Sequence, residues 1–175
     1  MKRDPYSDLP VVADFELKSS DVANNQILPR AQVSGIFGAG GQDTSPELEW
    51  SGFPEQTRSF MITMFDPDAP IPSGFWHWFV INLPAHITSL SAGAGDSDET
   101  LPAGALHLAN DAGLHRYLGA APPPGDDPHR YFVVVSALDV AETGLPTSTT
   151  PALASFQMLS HVIARATLIP IYGAV

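Results

Sequence analysis

Residues 59–84 (SFMITMFDPDAPIPSGFWHWFVINLP) constrain the fold of this chain more than any other segment. The two ends of this segment are rich in β-branched and aromatic residues, and the polar loop between them contains several prolines. This pattern predicts two paired strands with apolar residues on both faces, as in the middle of a sandwich. Asp66, Asp68 and His77 stand where the strands meet the loop. Ionisable groups beside buried strands are costly unless each has a partner or a task, so a functional site is expected here.

Alternation along the second strand, residues 75–83, predicts which side chains share a face. Phe75, His77, Phe79 and Ile81 are expected on one face, because successive side chains of a strand point to opposite sides. His77 is then the one ionisable group of an otherwise apolar strand.

The composition favours a single β-rich domain. A chain of 175 residues buries roughly 70% of its unfolded surface and needs no second domain. The 17 prolines and 14 glycines imply many turns, and the absence of cysteine excludes disulfides, thiolate catalysis and the usual structural zinc sites. We therefore predict one domain over 1–175, with residues 1–13 as a surface tail.

The charge and hydropathy limit the partners. With 19 acidic and 8 basic side chains the formal net charge is −11, which opposes binding to nucleic acid. The first residues lack the apolar run of a signal peptide, and no segment approaches the ~18 apolar residues of a membrane span. A cytoplasmic protein is expected.

Two further elements follow from the pattern. Residues 129–140 (HRYFVVVSALDV) form the strongest predicted strand, because they are rich in β-branched residues. Thr149 or Thr150 as N-cap, with Pro151 after it, predicts a helix that continues to about Ala166. Apolar residues at near-helical spacing make this helix amphipathic (Leu153, Phe156, Leu159 and Ile163).

The string Asp-Pro-Asp-Ala-Pro at 66–70 allows two interpretations. Aspartates and prolines often end a strand in a turn without any function. A functional interpretation needs a neighbour that uses a carboxylate, and His77 and His129 qualify because each begins an apolar strand beside a loop rich in proline and glycine. Each histidine alone is more often structural, but the two together with both loops favour a site.

Other chemistries have weaker support. Two carboxylates and two histidines could form a two-His-one-carboxylate metal site, but no His-x-His or His-x-x-x-His spacing supports it. No Gly-x-Ser-x-Gly elbow is present. The glycines at 38–41 lack the flanking strand and helix of a nucleotide-binding loop. No metal or cofactor is expected.

Several motifs occur in order along the chain: DPDAP, then GFWHW at 74–78 leading to Asn82-Leu83-Pro84, then GAAPPPG at 119–125 followed by His129-Arg130-Tyr131. These motifs resemble those of the phosphatidylethanolamine-binding protein family. Their spacing is similar to that of the bacterial Raf-kinase-inhibitor-like branch, and the whole chain resembles mycobacterial members. The resemblance covers residues 14–170.

This resemblance implies a mainly β fold, a β-sandwich of two antiparallel sheets with a C-terminal helix, and a small anion-binding pocket at one end. Carried over to this sequence, the implied ligand-binding residues are Asp66, Asp68, Ala69, Pro70, His77, Gly119, Ala121, Pro122, Pro123, His129 and Tyr131. Backbone N–H groups of the 119–121 loop are expected to complete the anion cradle.

The leading hypothesis is a non-enzymatic binding protein for phosphate-like small molecules or phospholipid head groups. It includes regulation by inhibiting a kinase or protease target. The competing hypothesis is a metal-assisted hydrolase that uses Asp66 or Asp68 with His77. Since bacterial members that resemble this chain form dimers, a homodimer is also expected.

Overall fold

The computed structural model describes residues 4–173, and most of them belong to short strands and the loops between them. The strands are β1 (Ala13–Asp14), β2 (Glu16–Lys18), β3 (Leu48–Ser51), β4 (Ser59–Asp66), β5 (Phe75–Pro84), β6 (Ser89–Leu90), β7 (Leu106–His107), β8 (His129–Arg130), β9 (Phe132–Leu138), β10 (Val162–Leu168) and β11 (Ile171–Tyr172). The α-helix is α1 (Pro151–Met158), and short 3-10 turns cover Arg30–Gln32, Ala94–Asp96, Asp98–Thr100 and Leu159–His161. No helix within 4–173 is both long enough and apolar enough to cross a bilayer.

The main sheet has six strands in the order β1-β10-β9-β4-β5-β7, and a three-stranded sheet, β2-β3-β6, faces it. Leu48 and Trp50 of the small sheet pack with Phe60, Ile62 and Trp78 of the large one in a single apolar core. This face-to-face arrangement confirms the predicted mainly β sandwich. Two details differ from purely antiparallel sheets: β1 pairs with β10 in parallel, and β8 pairs with β11 in a separate two-stranded sheet.

The predicted face of β5 is only partly correct, because the strand contains register shifts. Met64 of β4 pairs with Trp78, and Phe65 pairs with Trp76, so His77 is an extra residue opposite β4, as in a β-bulge. Phe79 and Ile81 pack in a second apolar cluster near α1, on the outer side of the sheet. The His77 ring instead meets Tyr131 of the inner core, with ring centroids 5.3 Å apart. The bulge therefore separates His77, together with Phe75, from Phe79 and Ile81.

The predicted C-terminal helix is present but shorter, and it buries other residues than expected. Thr150 caps it by accepting a hydrogen bond from the Leu153 backbone N–H, and Pro151 is its first residue. The helix ends at Met158, and Val162–Leu168 is strand β10 where helix was predicted. Phe156 is 75% exposed. Small or flexible residues face the sheet instead (Pro151, Ala154 and Met158).

The N-terminal segment lies over the outer face of the main sheet. Met1, Lys2 and Arg3 of the predicted 1–13 tail lie outside the described residues. Tyr6 stacks on Phe132 of β9, with ring centroids 5.8 Å apart. The segment then enters the sheet at β1.

Candidate functional site

A cavity of about 180 Å³ lies where the end of β4, the start of β5 and the start of β8 meet the loop at 119–125. Its walls are Phe37, Asp66, Ala69, Pro70, Ile71, Phe75, His77, Ala121, Pro122, Pro123 and His129. The structure thus brings together most of the residues that the family resemblance implied. Asp68, Gly119 and Tyr131 do not line the cavity.

Asp66 and His129 form a buried pair on one wall. The Nδ1 of His129 is 2.7 Å from Asp66 Oδ2, and the two side chains are 3% and 4% exposed. The other carboxylate oxygen of Asp66 accepts the backbone N–H groups of Asp68 and Ala69, at 2.8 and 3.0 Å. Because a carboxylate only accepts, His129 Nδ1 donates, and its Nε2 remains for other partners. Asp66 therefore fixes both the DPDAP turn and the orientation of the imidazole.

His129 has a second carboxylate neighbour. Its Nε2 lies 3.4 Å from Asp126 Oδ2, and Asp126 is 39% exposed at the rim of the site. This carboxylate competes with any anion that approaches the same nitrogen. Sequence reasoning missed Asp126, although its spacing of three residues from His129 was a local signal.

Asp68 is engaged with Arg130 and supports the site from behind. Its Oδ2 accepts from Arg130 Nε at 2.8 Å and from the Arg130 backbone N–H at 3.0 Å, while Oδ1 accepts from an Arg130 terminal nitrogen at 2.9 Å. This bidentate pair raises the pKa of Arg130 above its usual value. The pair ties the loop after β4 to β8 and so holds the two halves of the cavity together.

His77 stands on the opposite wall and is 5% exposed. Its Nδ1 is 3.0 Å from the Leu118 carbonyl oxygen, so Nδ1 donates and Nε2 carries no proton in the neutral ring. Burial lowers the pKa of His77 below its usual value, although Asp66 favours the protonated form. Phe75 packs against the ring, with centroids 4.8 Å apart. His77 therefore offers an acceptor at Nε2 when neutral and a donor when protonated.

The loop at 119–123 supplies fewer free N–H groups than the resemblance suggested. The Gly119 N–H donates to Asp43 Oδ1 at 2.8 Å, and the Ala120 N–H donates to the Gln32 carbonyl oxygen at 3.3 Å. Pro122 and Pro123 have no N–H. Among residues 4–173, the Ala121 N–H has no hydrogen-bond partner. Ala121 is therefore the remaining backbone donor of this loop.

Asp43 organises this loop from outside the cavity. Burial opposes ionisation of its carboxyl, but the backbone N–H groups of Gly119, Ile36 and Gly35 outweigh that effect and hold its pKa below the usual value. The carboxylate therefore ties the 35–43 loop to the 119–125 loop. Gly119 also lies so close to Val33 that a Cβ there would be 2.3 Å from its carbonyl carbon. This long-range contact has no local signal in the sequence.

Tyr131 lies behind His77 and does not reach the cavity. It is fully buried, and its hydroxyl has no hydrogen-bond partner in the described part of the chain. Burial raises the pKa of this phenol far above its usual value, so it stays neutral. Its edge-on contact sets the tilt of the His77 ring.

Metal ligation has no structural support within residues 4–173. No group of three or more His, Asp or Glu side chains there is arranged to hold a metal ion. The carboxylates that a metal site would need are already used: Asp66 by backbone N–H groups and His129, and Asp68 by Arg130.

The chain matches the family model described as phosphatidylethanolamine-binding protein over residues 18–173. It is 42% identical to YbcL of Escherichia coli K12 over 161 residues, which cover 91% of this chain and 88% of that protein. It is 38% identical to YbhB of the same organism over 159 residues, covering 91% of this chain and all of YbhB. The chain therefore belongs to the phosphatidylethanolamine-binding protein family, as the motifs predicted.

Solved structures agree with this assignment. The crystal structure of E. coli YbcL, described as a new member of the mammalian PEBP family, superposes with a TM-score of 0.88 at 41% identity and covers 92% of this chain and 99% of YbcL. A PEBP homologue from Chlamydia trachomatis gives 0.75 at 28% identity over 91% of this chain and 97% of the homologue. Family membership supports a binding protein.

Proposed function

We propose that this protein binds, without chemical conversion, an oxyanion of the phosphate type carried on a small molecule or a phospholipid head group. The observation that carries the proposal is the convergence of His77 and His129 with Ala121 on one small cavity. These residues come from three separate parts of the chain. Together they offer a backbone N–H and two imidazole Nε2 atoms, which become donors when the rings are protonated; oxyanions use donors of these types.

The cavity favours an ester over free phosphate. Two of its wall residues are apolar and unusually exposed, Phe37 at 54% and Ile71 at 47%. An oxyanion can sit between the histidines while the carbon part of the ligand covers this apolar rim. A few charge-assisted hydrogen bonds at about 1.5–3 kcal/mol each, less several kcal/mol lost on association, predict micromolar to millimolar affinity.

Binding should take up a proton at His77. In the free protein burial favours the neutral ring, whose Nε2 is an acceptor that repels a fully ionised oxyanion. The complex needs a proton between them, either on the ring or on the ligand oxygen. Phosphate monoesters have a second pKa near 6, so both routes strengthen binding as the pH falls from 8 to 6.

The hydrolase hypothesis relies on Asp66 or Asp68, and both carboxylates are engaged within the protein. Asp66 accepts three hydrogen bonds, from Asp68, Ala69 and His129, and Asp68 is held by Arg130. No observation favours it over binding. Inhibition of a kinase or protease, and homodimer formation, remain predictions, and light scattering on the purified protein measures the second directly.

The test is a thermal melt with millimolar phosphorylethanolamine or inorganic phosphate at pH 6 and pH 8. The melting temperature should rise with either ligand, more with the ester and more at pH 6. His77→Gln should remove the pH difference and most of the shift. His161→Gln is the matched control, because His161 is half exposed and pairs with Asp139 rather than lining the cavity. No shift at either pH, or an undiminished shift in His77→Gln, would contradict the proposal.

A further inference from the structure

A second cavity, of about 290 Å³, lies on the outer face of the main sheet and shares no wall residue with the first. It is enclosed by the N-terminal segment, the end of α1 and strands β4, β9 and β10. Its walls include Tyr6, Leu9, Met61, Trp76, Ser136 and Arg165. Most of this surface is apolar, and Tyr6 closes one side of it.

One positive charge lies in this apolar wall without a negative partner. Arg165 is half-buried, and its side chain donates to the Pro10 carbonyl oxygen at 3.2 Å. Asp14 is its register neighbour on β1, yet within residues 4–173 no carboxylate oxygen lies within 4 Å of the guanidinium. Burial lowers the pKa of Arg165, because the charged guanidinium is less stable where it is partly removed from water. A partly desolvated cation is stabilised most by a carboxylate in bidentate geometry.

A free hydroxyl accompanies this charge. Ser136 of β9 pairs directly with Arg165 of β10, so the two side chains lie side by side on the same face of the sheet. Ser136 is 4% exposed and lines the cavity, and its Oγ makes no hydrogen bond with any residue in 4–173. Because this hydroxyl lines the cavity and is not engaged by the protein, it is available to donate a hydrogen bond to a ligand there. Two independent features therefore point at the same end of the cavity.

The geometry points to a binding site for an amphipathic monocarboxylate, such as a medium-chain fatty acid, in this second cavity. The carboxylate pairs with the Arg165 guanidinium and accepts from the Ser136 hydroxyl. The hydrocarbon chain fills the apolar part between Leu9, Met61 and Trp76. A single anionic head matches the single cation, whereas a neutral alcohol leaves the guanidinium unpaired and an alkylammonium is repelled by it.

The test is a calorimetric titration of the full chain with decanoate and with decanol, in saturating phosphate to occupy the first cavity. Decanoate should bind with one site, and Arg165→Gln should weaken it about tenfold or more while leaving decanol unchanged. Ser136→Ala should weaken decanoate less, by roughly fivefold. Arg58→Gln is the charge-matched control, because the exposed Arg58 does not line the cavity.

Three results would overturn this assignment. The first is no decanoate binding, as expected if a second copy of the chain covers the cavity. The second is an equal loss in Arg165→Gln and Arg58→Gln, which would mean that only net charge matters. The third is loss of decanoate binding in His77→Gln, which would place the ligand in the first cavity. A melt of each variant without ligand separates weakened binding from misfolding.

Discussion

At the rim of the first cavity, one carboxylate opposes the ligand that the cavity is proposed to hold. Asp126 lies 3.4 Å from the Nε2 of His129, the nitrogen that an oxyanion would otherwise approach. The buried carboxylate of Asp66 already orients the other side of the same ring. Asp126 is therefore dispensable for the geometry and unfavourable for anion binding.

Replacing Asp126 with Asn should strengthen phosphate binding. Removing the competing charge of an exposed ion pair is worth about 0.2–1 kcal/mol, which corresponds to a gain of roughly 1.5- to 5-fold in affinity. The gain should shrink at high salt, because the interaction is solvent-exposed. Calorimetric titration with phosphorylethanolamine at low and high salt measures both effects. Asp127→Asn removes the same charge one residue further on and serves as control; weaker binding in Asp126→Asn would contradict the assigned role.

Sequence reasoning found the residues whose signals are local and missed those defined by distant contacts. The DPDAP turn and the two histidines at strand starts were recognisable, because turn chemistry and family motifs mark them. Asp43 was not, since its role depends on Gly119 far along the chain. Asp68 was predicted to bind ligand, and its pairing with Arg130 could not be foreseen because each residue is ordinary in its own segment.

At the scale of elements, the helical spacing of apolar residues continues in the sequence beyond the residue where helix α1 ends. Leu159 and Ile163 continue the spacing of the helix, but the chain leaves α1 at Met158 and becomes β10. Along β10 the buried residues alternate and two of them are Ala164 and Ala166, which give little strand signal. Pairing with β9 decides the conformation there. The bulge at His77 is likewise set by pairing with β4, so alternation alone could not reveal it.

Two substitutions in α1 separate the stability contributed by the N-cap from the stability contributed by side-chain burial. Thr150→Ala should lower the free energy of unfolding by about 1 kcal/mol, because the cap hydrogen bond to Leu153 is lost. Phe156→Ser should change it by roughly 0.5 kcal/mol or less, since Phe156 is 75% exposed. Urea unfolding monitored by circular dichroism measures both. The reverse order would mean that Phe156 is covered in solution.

On the scale of the whole molecule, the net negative charge of the protein disfavours binding of the proposed anionic ligand. A net charge of −11 repels anions at long range, so binding has to rest on contacts inside the cavity. Those contacts depend on a rigid frame, because the imidazoles are contributed by β5 and β8 of different sheets. The core between the sheets fixes their separation, and one part of that core is itself sensitive to protons.

His107 is the buried, proton-sensitive residue of the core, where it contacts Trp78. Its Nδ1 is 2.7 Å from Asp98 Oδ1, and its Nε2 accepts a hydrogen bond from Trp78 Nε1 at 3.0 Å. A proton on Nε2 would place two donors against each other, so the folded state needs the neutral ring. Burial lowers the pKa of His107 below its usual 6.5, against the opposing effect of Asp98. Burial lowers the pKa of His77 in the same way.

The free energy of unfolding should therefore fall when the pH is lowered from 7.5 to 5. The unfolded chain binds protons at these histidines near pH 6.5 and the folded chain binds them only at lower pH, so stability is present above 6.5 and is lost below it. Each histidine contributes at most about 1.4 kcal/mol per pH unit. The pKa of Asp43 is lowered in the folded state, so the stability that Asp43 contributes is lost only in more acid solution.

Urea unfolding of the wild-type chain and of His107→Gln across this range is the measurement. The variant should show a shallower slope. Added phosphate should flatten the remaining slope in both proteins, because the proposed complex is stronger at low pH. A wild-type slope of zero would show that neither imidazole is kept neutral by the fold.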